Sequence, residues 1–182
     1  SSHHHLPFGG TMSLGSESYY RIIYELCESL IECGYRRLFI VNGHGGNHEL
    51  LQLVVRDLAL RHPASLAAAS YWTVAWDALV ARDAHVDCRF PGHAGAFETS
   101  VMLALRPELV REPRPHRDQL TTTDPRGFVR PYRAEHFQAW QSIDGYTDSP
   151  DRGDAARGAE YLKITIEELS KAMIEFHASA DR

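Results

Sequence analysis

The chain has 182 residues, of which 43% are hydrophobic, enough apolar surface for one folded domain without a disulfide framework. A net charge of −5 with neutral histidines excludes the strongly basic surface of nucleic-acid-binding proteins, and no apolar stretch reaches the ~20 residues of a membrane span. Three cysteines without a CxxC pair indicate a reducing compartment, so we expect a cytoplasmic protein with small-molecule partners.

The first half of the chain has the pattern of a layered α/β protein. Apolar residues at helical spacing predict an amphipathic helix over Glu17 to Cys33, with Gly34 directly after its end. The apolar run from Arg37 to Val41 predicts a strand that is buried on both faces of a parallel sheet. A second helix over Asn47 to Arg61 and a second strand over Ser65 to Tyr71 follow, an order that indicates βαβ units.

Three further helices are predicted in the second half of the chain. The first covers Val74 to Arg82 and leads into a loop over Asp83 to Gly92. The next covers Ala94 to Leu105, and the last is an amphipathic helix over Ala155 to His177.

The stretch between the last two helices, Pro107 to Asp154, is rich in Pro, Asp, Arg and Gly. A hairpin around Gly127 to Tyr132 is the only regular structure predicted there. A stretch of this length without regular structure indicates a role in a site or in a subunit contact.

The first candidate site is the segment Asn42 to Asn47, NGHGGN, directly after the first predicted strand. Glycine lets the backbone approach a ligand closely, and open α/β sheets bind ligands beyond the carboxyl ends of their strands. His44 is therefore a candidate metal ligand, although a lone histidine at a strand end is more often a hydrogen-bonded structural residue. A phosphate-binding loop is a third interpretation, but the segment lacks the lysine of a P-loop and the GxGxxG spacing of a dinucleotide site.

The second candidate site is the segment Gly92 to Ser100, GHAGAFETS, at the start of a predicted helix. Glu98 precedes an apolar run, and a buried carboxylate needs a cation, a metal or hydrogen-bond donors to stay charged. The simpler interpretation is a first-turn Glu that complements the helix dipole. Together, His93, Glu98 and His44 form a donor set suited to zinc or manganese.

These two motifs occur with the segments Ser1 to Leu14 and Ser70 to Trp72 in the order and approximate spacing of the creatininase (creatinine amidohydrolase) family, which the chain resembles over most of its length. The resemblance implies a three-layer α/β/α fold with a mostly parallel sheet. It also implies one creatininase-like domain over residues 1–182, with the N-terminal part of the family domain missing. Hexamers are common in the family, so a homo-oligomer is expected.

The resemblance also implies the chemistry. Family members use two neighbouring divalent ions, zinc and/or manganese with iron also allowed, and attack a C–N amide bond of a small or cyclic amide with a metal-bound water. Carried over residue by residue, His44 resembles a metal ligand, His93 a proton donor or oxyanion stabiliser, and Glu98 a metal ligand or base. The residues at substrate-binding positions are Ser2, Gly45, Trp72 and Arg89.

Departures from creatininase indicate a different substrate. Gly45 stands where that enzyme has a Tyr, and Arg89 stands where it has a second pocket Trp. An arginine there suits a substrate carboxylate, although a solvated loop arginine is at least as consistent with the sequence. Gly46 stands where creatininase has a further acidic ligand, and Glu98 is the candidate to replace it.

The family's remaining metal ligands, a Glu, a His and an Asp, come from a segment of the EQHG…D type that would precede this chain. The opening residues look like a purification tag, but the resemblance favours native positions for Ser2 and His5. His3, His4 and His5 could bind stray metal, but they are not expected to replace the carboxylates. Two hypotheses follow: a metal-dependent amidohydrolase, or a non-catalytic binding or scaffold protein of the same fold that has lost its N-terminal ligands.

Overall fold

The computed structural model describes residues 1–86, 88–117, 128–129, 132–133 and 136–179. Within these residues no helix combines the length and apolarity that a membrane crossing requires. The elements in chain order are α1 Ser16–Glu32, β1 Arg37–Asn42, α2 His48–Ala59, β2 Ser65–Ser70, α3 Tyr71–Val74, α4 Trp76–Ala81, α5 Ala96–Leu105, β3 Phe128–Val129, β4 Tyr132–Arg133 and α6 Ala155–Ser179.

The chain divides into two compact units. The first contains Ser1–Trp76 and Thr165–Arg182, and the second contains Asp77–Ile164. Each unit holds one of the two candidate site segments found in the sequence. The expectation of a single domain over residues 1–182 stays a prediction.

The first unit contains a parallel sheet of β1 and β2, joined by α2, as the sequence predicted. The register runs from Arg37 opposite Ser65 to Asn42 opposite Ser70, so the carboxyl ends of both strands lie at the same edge. The expected burial of β1 on both faces is wrong, because Val41 is 47% exposed and the four residues before it in the strand are only partly buried. In the described part of the chain β1 pairs with β2 alone, which leaves its other edge without a strand.

The core of the first unit lies between α1, α2 and the sheet. Its fully buried centre comprises Cys27 and Ile31 of α1 with Val54 and Leu58 of α2, and Val54 and Leu58 are completely inaccessible to solvent. Full burial of an aliphatic side chain stabilises a fold by roughly 1.5–3 kcal/mol, so this cluster fixes α2 and the loop that precedes it.

Helix α1 ends where the sequence predicted. Gly34 has φ +98°, a left-handed conformation that residues with a Cβ adopt at a cost. The N–H of Gly34 donates to the Ile31 carbonyl at 2.9 Å, and the N–H of Tyr35 donates to the Leu30 carbonyl at 3.1 Å. These two bonds form a Schellman motif that turns the chain into β1.

Two predicted helices differ from the observed ones. The helix expected over Val74 to Arg82 is instead two short helices, α3 and α4, interrupted at Ala75, whose φ and ψ are −92° and 9°. The helix expected from Ala94 begins only at Ala96, because Ala94 has φ +48° and Gly95 is extended. The last helix, α6, was predicted almost to its ends.

The described residues between Pro107 and Asp154 have little regular structure, as expected. They form short 3-10 helices and the antiparallel pair β3–β4, with Phe128 opposite Arg133 and Val129 opposite Tyr132. This pair confirms the predicted hairpin, although Gly127 lies outside the described residues. Thr147 to Pro150, near the end of the stretch, are buried, with Asp148 only 1% exposed.

Candidate functional site

His44 lies directly beyond β1, held by the side chain of Asn42. The Asn42 Oδ1 accepts the His44 N–H at 3.1 Å, and its Nδ2 donates to the His44 carbonyl at 2.9 Å. The same Nδ2 donates to the Ser70 Oγ at 2.8 Å, across the paired ends of the two strands. Asn42 is 3% exposed, so a buried amide fixes the backbone of the candidate ligand.

The ring of His44 faces the N-terminal histidines. It stacks on His4 with centroids 5.4 Å apart and an interplanar angle of 8°, and it lies 5.8 Å from His5. One ring nitrogen from each of these three residues lies within 4.8 Å of the other two. Ser2 is part of the group, with its Oγ 2.8 Å from His5 Nδ1 and 3.3 Å from His44 Nε2.

Burial disfavours the charged form of two of these imidazoles, His5 and His44. It lowers the pKa of His5 to about 4, with the charges of His4 and His44 acting in the same direction, and it also lowers the pKa of His44. A neutral imidazole offers the lone pair that a metal ion needs. The donor set around His44 is therefore chemically suited to a divalent metal such as zinc.

Two predicted substrate-binding residues accompany His44 in the first unit. Gly45 follows it directly, and the place where a Cβ would stand has no other atom within 4 Å. Trp72 lies in α3, two residues after the end of β2, and its ring meets Tyr71 edge-on at 4.9 Å. Because β1 and β2 end side by side, both residues follow the same edge of the sheet.

In the second unit, His93 and Glu98 are neighbours. The His93 Nδ1 lies 3.7 Å from Glu98 Oε2, and the Ala94 N–H donates to the same oxygen at 2.5 Å. Burial raises the pKa of Glu98, the Ala94 hydrogen bond lowers it, and Asp148 raises it again. A third of the Glu98 side chain is exposed, so water limits the net rise. The 3.7 Å separation of His93 and Glu98 is longer than a hydrogen bond, and a role of the pair in proton transfer stays a prediction.

Thr147 and Asp148 hold the loop that carries this pair. Asp148 accepts the Ala96 N–H at 2.7 Å and the Thr147 hydroxyl at 3.1 Å. The Thr147 Oγ1 accepts the His93 N–H at 2.8 Å, and the Thr147 N–H donates to the His93 carbonyl at 3.0 Å. These bonds stabilise the irregular backbone between Gly92 and α5.

Arg89, the remaining predicted substrate contact, is attached to the same carboxylate. Its backbone N–H donates to Asp148 Oδ2 at 3.3 Å. A role for its side chain in substrate binding stays a prediction, as do the substrate roles of the other three residues.

The two groups of candidate residues belong to different units. His44 and its neighbours lie in the first, and His93 with Glu98 lies in the second. Their convergence on one metal site is therefore an expectation from the family resemblance and stays a prediction.

Several residues around these groups escaped the sequence-based search. The amide of Asn42 and the hydroxyl of Ser70 gave a usable signal, since polar residues that end adjacent parallel strands meet at one edge. For Asp148 and Thr147 the sequence signal was weaker, because it consisted only of a short polar run within an irregular stretch.

Comparison with known proteins gives concordant results. The model of the Creatininase family, described as creatinine amidohydrolase, matches residues 1–173. A mycofactocin precursor peptide peptidase of Mycobacterium tuberculosis is 36% identical over 184 residues, covering 100% of this chain and 64% of the relative. A creatinine amidohydrolase of Pseudomonas putida is 34% identical over 114 residues, covering 57% of this chain and 43% of the relative.

A solved structure shows the same fold. A mutant creatininase superposes with a TM-score of 0.70 at 26% identity, covering 92% of this chain and 67% of that protein. This likeness confirms the predicted α/β fold class. The chain spans between 38% and 64% of the length of the curated relatives it matches.

Proposed function

The chain belongs to the creatininase family, and from this premise we propose that it carries the active site of a metal-dependent amidohydrolase that cleaves a C–N amide bond of a small or cyclic amide. Family members are generally metal-dependent hydrolases of small amides. The observation that carries the proposal is the half-buried His44, held by Asn42 at the carboxyl end of β1 and grouped with the imidazoles of His4 and His5.

We propose zinc or manganese as the metal, with two ions as in the family and iron also allowed. His44 would hold the metal, and Glu98 is the second candidate ligand. A divalent ion in such a site polarises an amide carbonyl and brings the pKa of a water molecule toward neutrality.

The residues of the chain supply the proton chemistry. Glu98 is proposed to take a proton from the attacking water, because a carboxyl with a raised pKa is closer to the pKa of a useful base at neutral pH. His93, 3.7 Å away, is proposed to protonate the departing amine or to stabilise the tetrahedral oxyanion. A shift of under 1 Å would bring the two side chains into hydrogen-bond distance.

Each of the four proposed substrate-binding residues would make a different kind of contact. Trp72 offers a flat apolar surface to an amide or a ring, and Ser2 offers a hydroxyl. Gly45 leaves room beside His44. Arg89 is proposed to pair with a substrate carboxylate, which predicts that Arg89→Ala loses turnover of anionic amides and keeps that of neutral ones. If Arg89→Ala turned over anionic amides as fast as the unmodified chain does, this contact would be removed from the proposal.

A peptide bond is the second candidate substrate. This candidate is favoured by the similarity to the peptidase of Mycobacterium tuberculosis, because that alignment covers the whole of this chain. The alignment with the creatinine amidohydrolase covers only 57% of this chain. Gly45, in place of a larger side chain, also suits a longer substrate, since no atom lies within 4 Å of the position its Cβ would take.

We also propose a cytoplasmic homo-oligomer, with six subunits as in the family. Three apolar residues at intervals of one helical turn on α1 support a subunit contact, since Ile22, Leu26 and Leu30 are 41%, 59% and 43% exposed. Sedimentation of the unmodified chain and of Leu26→Glu tests this, because a contact through α1 requires the variant to dissociate.

The test of function is hydrolysis of a panel of cyclic amides, linear amides and short peptides. It is run on the chain and on the full reading frame that encodes it, each stripped of metal and then supplied with zinc or manganese. We expect turnover only with metal, and a fall of about 10²–10⁴-fold in kcat for His93→Gln and Glu98→Gln. The control is Glu108→Gln, an exposed carboxylate paired with Arg106, which should keep full activity.

The outcomes separate the hypotheses. Metal-dependent turnover supports the amidohydrolase, and its preference among the substrates decides between amide and peptide. Tight metal binding without turnover of any substrate favours the non-catalytic binding protein instead. Turnover that survives metal removal contradicts both.

A further inference from the structure

We propose that His4 and His5 are direct metal ligands together with His44, and that the three imidazoles form one site for a zinc-like divalent ion. The inference rests on the proposed function in that both use His44 as a ligand. It assigns a role in metal binding to two residues from the N-terminal turn of the chain.

The first argument is distance. The three ring nitrogens that could bind a metal all lie within 4.8 Å of one another. Zinc binds imidazole nitrogen at about 2.0–2.1 Å, so the nitrogens of a tetrahedral site lie ~3.4 Å apart. The rings therefore need to close by little more than 1 Å, a movement within the reach of side-chain rotation.

The second argument is the way the rings are held. The short 3-10 helix His3–His5 places His4 and His5 side by side, with ring centroids 4.1 Å apart. Ser2 Oγ lies 2.8 Å from His5 Nδ1, so a hydrogen bond to one ring nitrogen orients the ring of His5. Ligating histidines are commonly oriented through their second ring nitrogen in this way.

The third argument is the glycine at position 46. A Cβ placed there would lie 2.8 Å from His4 Cε1 and 2.9 Å from His44 Nε2, closer than real Cβ contacts. Gly46 therefore allows the rings of His4 and His44 to face each other. A residue with any side chain at this position would push them apart.

The fourth argument is chemical. Imidazole is a preferred ligand of zinc, and three protein ligands leave one tetrahedral position open. An open position is what a hydrolytic metal site needs for water or substrate.

His3 provides the matched control. It belongs to the same 3-10 helix, but it is exposed, and its Nδ1 lies 3.0 Å from Ser13 Oγ. It lies outside the group of three imidazoles. Replacing it changes the histidine count of the segment without touching the proposed site.

The experiment measures zinc affinity by competition with a chromophoric chelator. The proteins are the unmodified chain, His4→Gln, His5→Gln, His44→Gln and the control His3→Gln. We expect each of the first three variants to bind zinc at least about 100-fold more weakly, beyond the 10- to 100-fold typical of residues that only orient a ligand. His3→Gln should bind zinc like the unmodified chain.

X-ray absorption of zinc bound to His3→Gln gives a readout that does not depend on the folding of the His5 variant. We expect scattering from three imidazoles. A spectrum with one imidazole, or unchanged affinity in His4→Gln and His5→Gln while His44→Gln loses zinc, would overturn this inference and leave the proposed function standing. Unchanged affinity in all three variants would overturn the metal assignment in both.

Discussion

Asn42 binds both backbone polar groups of His44, accepting from its N–H at 3.1 Å and donating to its carbonyl at 2.9 Å. The same amide reaches Ser70 at the end of the adjacent strand. The position of His44 is thus set by a buried polar group at the sheet edge rather than by the glycine-rich loop alone.

The Asn42–His44 relationship predicts that Asn42→Ala weakens metal binding without removing a ligand. We expect zinc affinity to fall about 10- to 100-fold, as for other residues that orient a ligand, and the free energy of unfolding to fall by about 1–3 kcal/mol. The control is Gln52→Ala, which removes an exposed side-chain bond to the Ala68 carbonyl at 2.7 Å. Equal zinc affinity in the two variants would show that Asn42 does not position the ligand.

Gly46 predicts a steric effect on the same site. Gly46→Ala places a methyl group against the rings of His4 and His44, so we expect weaker zinc binding, by about 10-fold or more. Gly43→Ala is the matched control, because no atom lies within 4 Å of the Cβ it would add. Calorimetric titration of both variants with zinc checks this, and a Gly46→Ala protein that binds zinc normally would contradict the geometry.

The parts of this site that could be predicted from the sequence are those that depend on residues close together in the chain. His44 could be found because a strand pattern and a glycine-rich turn are local features, readable within about ten residues. Gly34 as the end of α1 could be predicted for the same reason, since a positive φ is a local requirement.

The contacts that could not be predicted are long-range. Asp148 binds the Ala96 N–H across 52 positions of the chain, and Ser2 meets His44 across 42. No hydrophobic period connects such positions, because they are brought together by packing. The wrong start of α5 has a similar origin: the Ala94 N–H bonds to Glu98 while Ala94 itself has a positive φ, a conformation stabilised by its surroundings.

Asp148 predicts a loss of stability in the second unit. Asp148→Asn replaces one of the two carboxylate oxygens that accept backbone N–H groups with an NH2 group, which can only donate. We therefore expect the free energy of unfolding to fall by about 1–3 kcal/mol. The control is Asp144→Asn, at an exposed left-handed position that Asn tolerates, with an expected change within about 0.5 kcal/mol. Denaturant unfolding measures both, and equal stability of the two variants would refute the anchoring role.

Tyr20 predicts a pH dependence of stability. Its hydroxyl donates to Asp57 Oδ2 at 2.8 Å, and this hydrogen bond is the main cause that holds the pKa of Asp57 below its ordinary value. A carboxyl with a depressed folded pKa stabilises the fold above its unfolded pKa, near 4, and the stabilisation is lost as the pH falls through the folded pKa.

Tyr20→Phe should therefore lower the denaturant midpoint at pH 7 and approach the unmodified chain at about pH 2. Tyr19→Phe, in the same helix, keeps the bond to Asp57 and should leave the acid dependence unchanged. A deficit in Tyr20→Phe that is the same at both pH values would indicate lost packing instead of the hydrogen bond.

The most direct test of the proposed metal-dependent hydrolase is the metal content of His44→Ala, measured by elemental analysis after equilibration with limiting zinc. We predict that this variant retains no tightly bound zinc. His48→Ala, which removes a neighbouring imidazole that lies 3.3 Å from Ser70 Oγ, should retain it. Full zinc occupancy in His44→Ala would contradict the assignment of this residue as a ligand and, with it, the proposed active site.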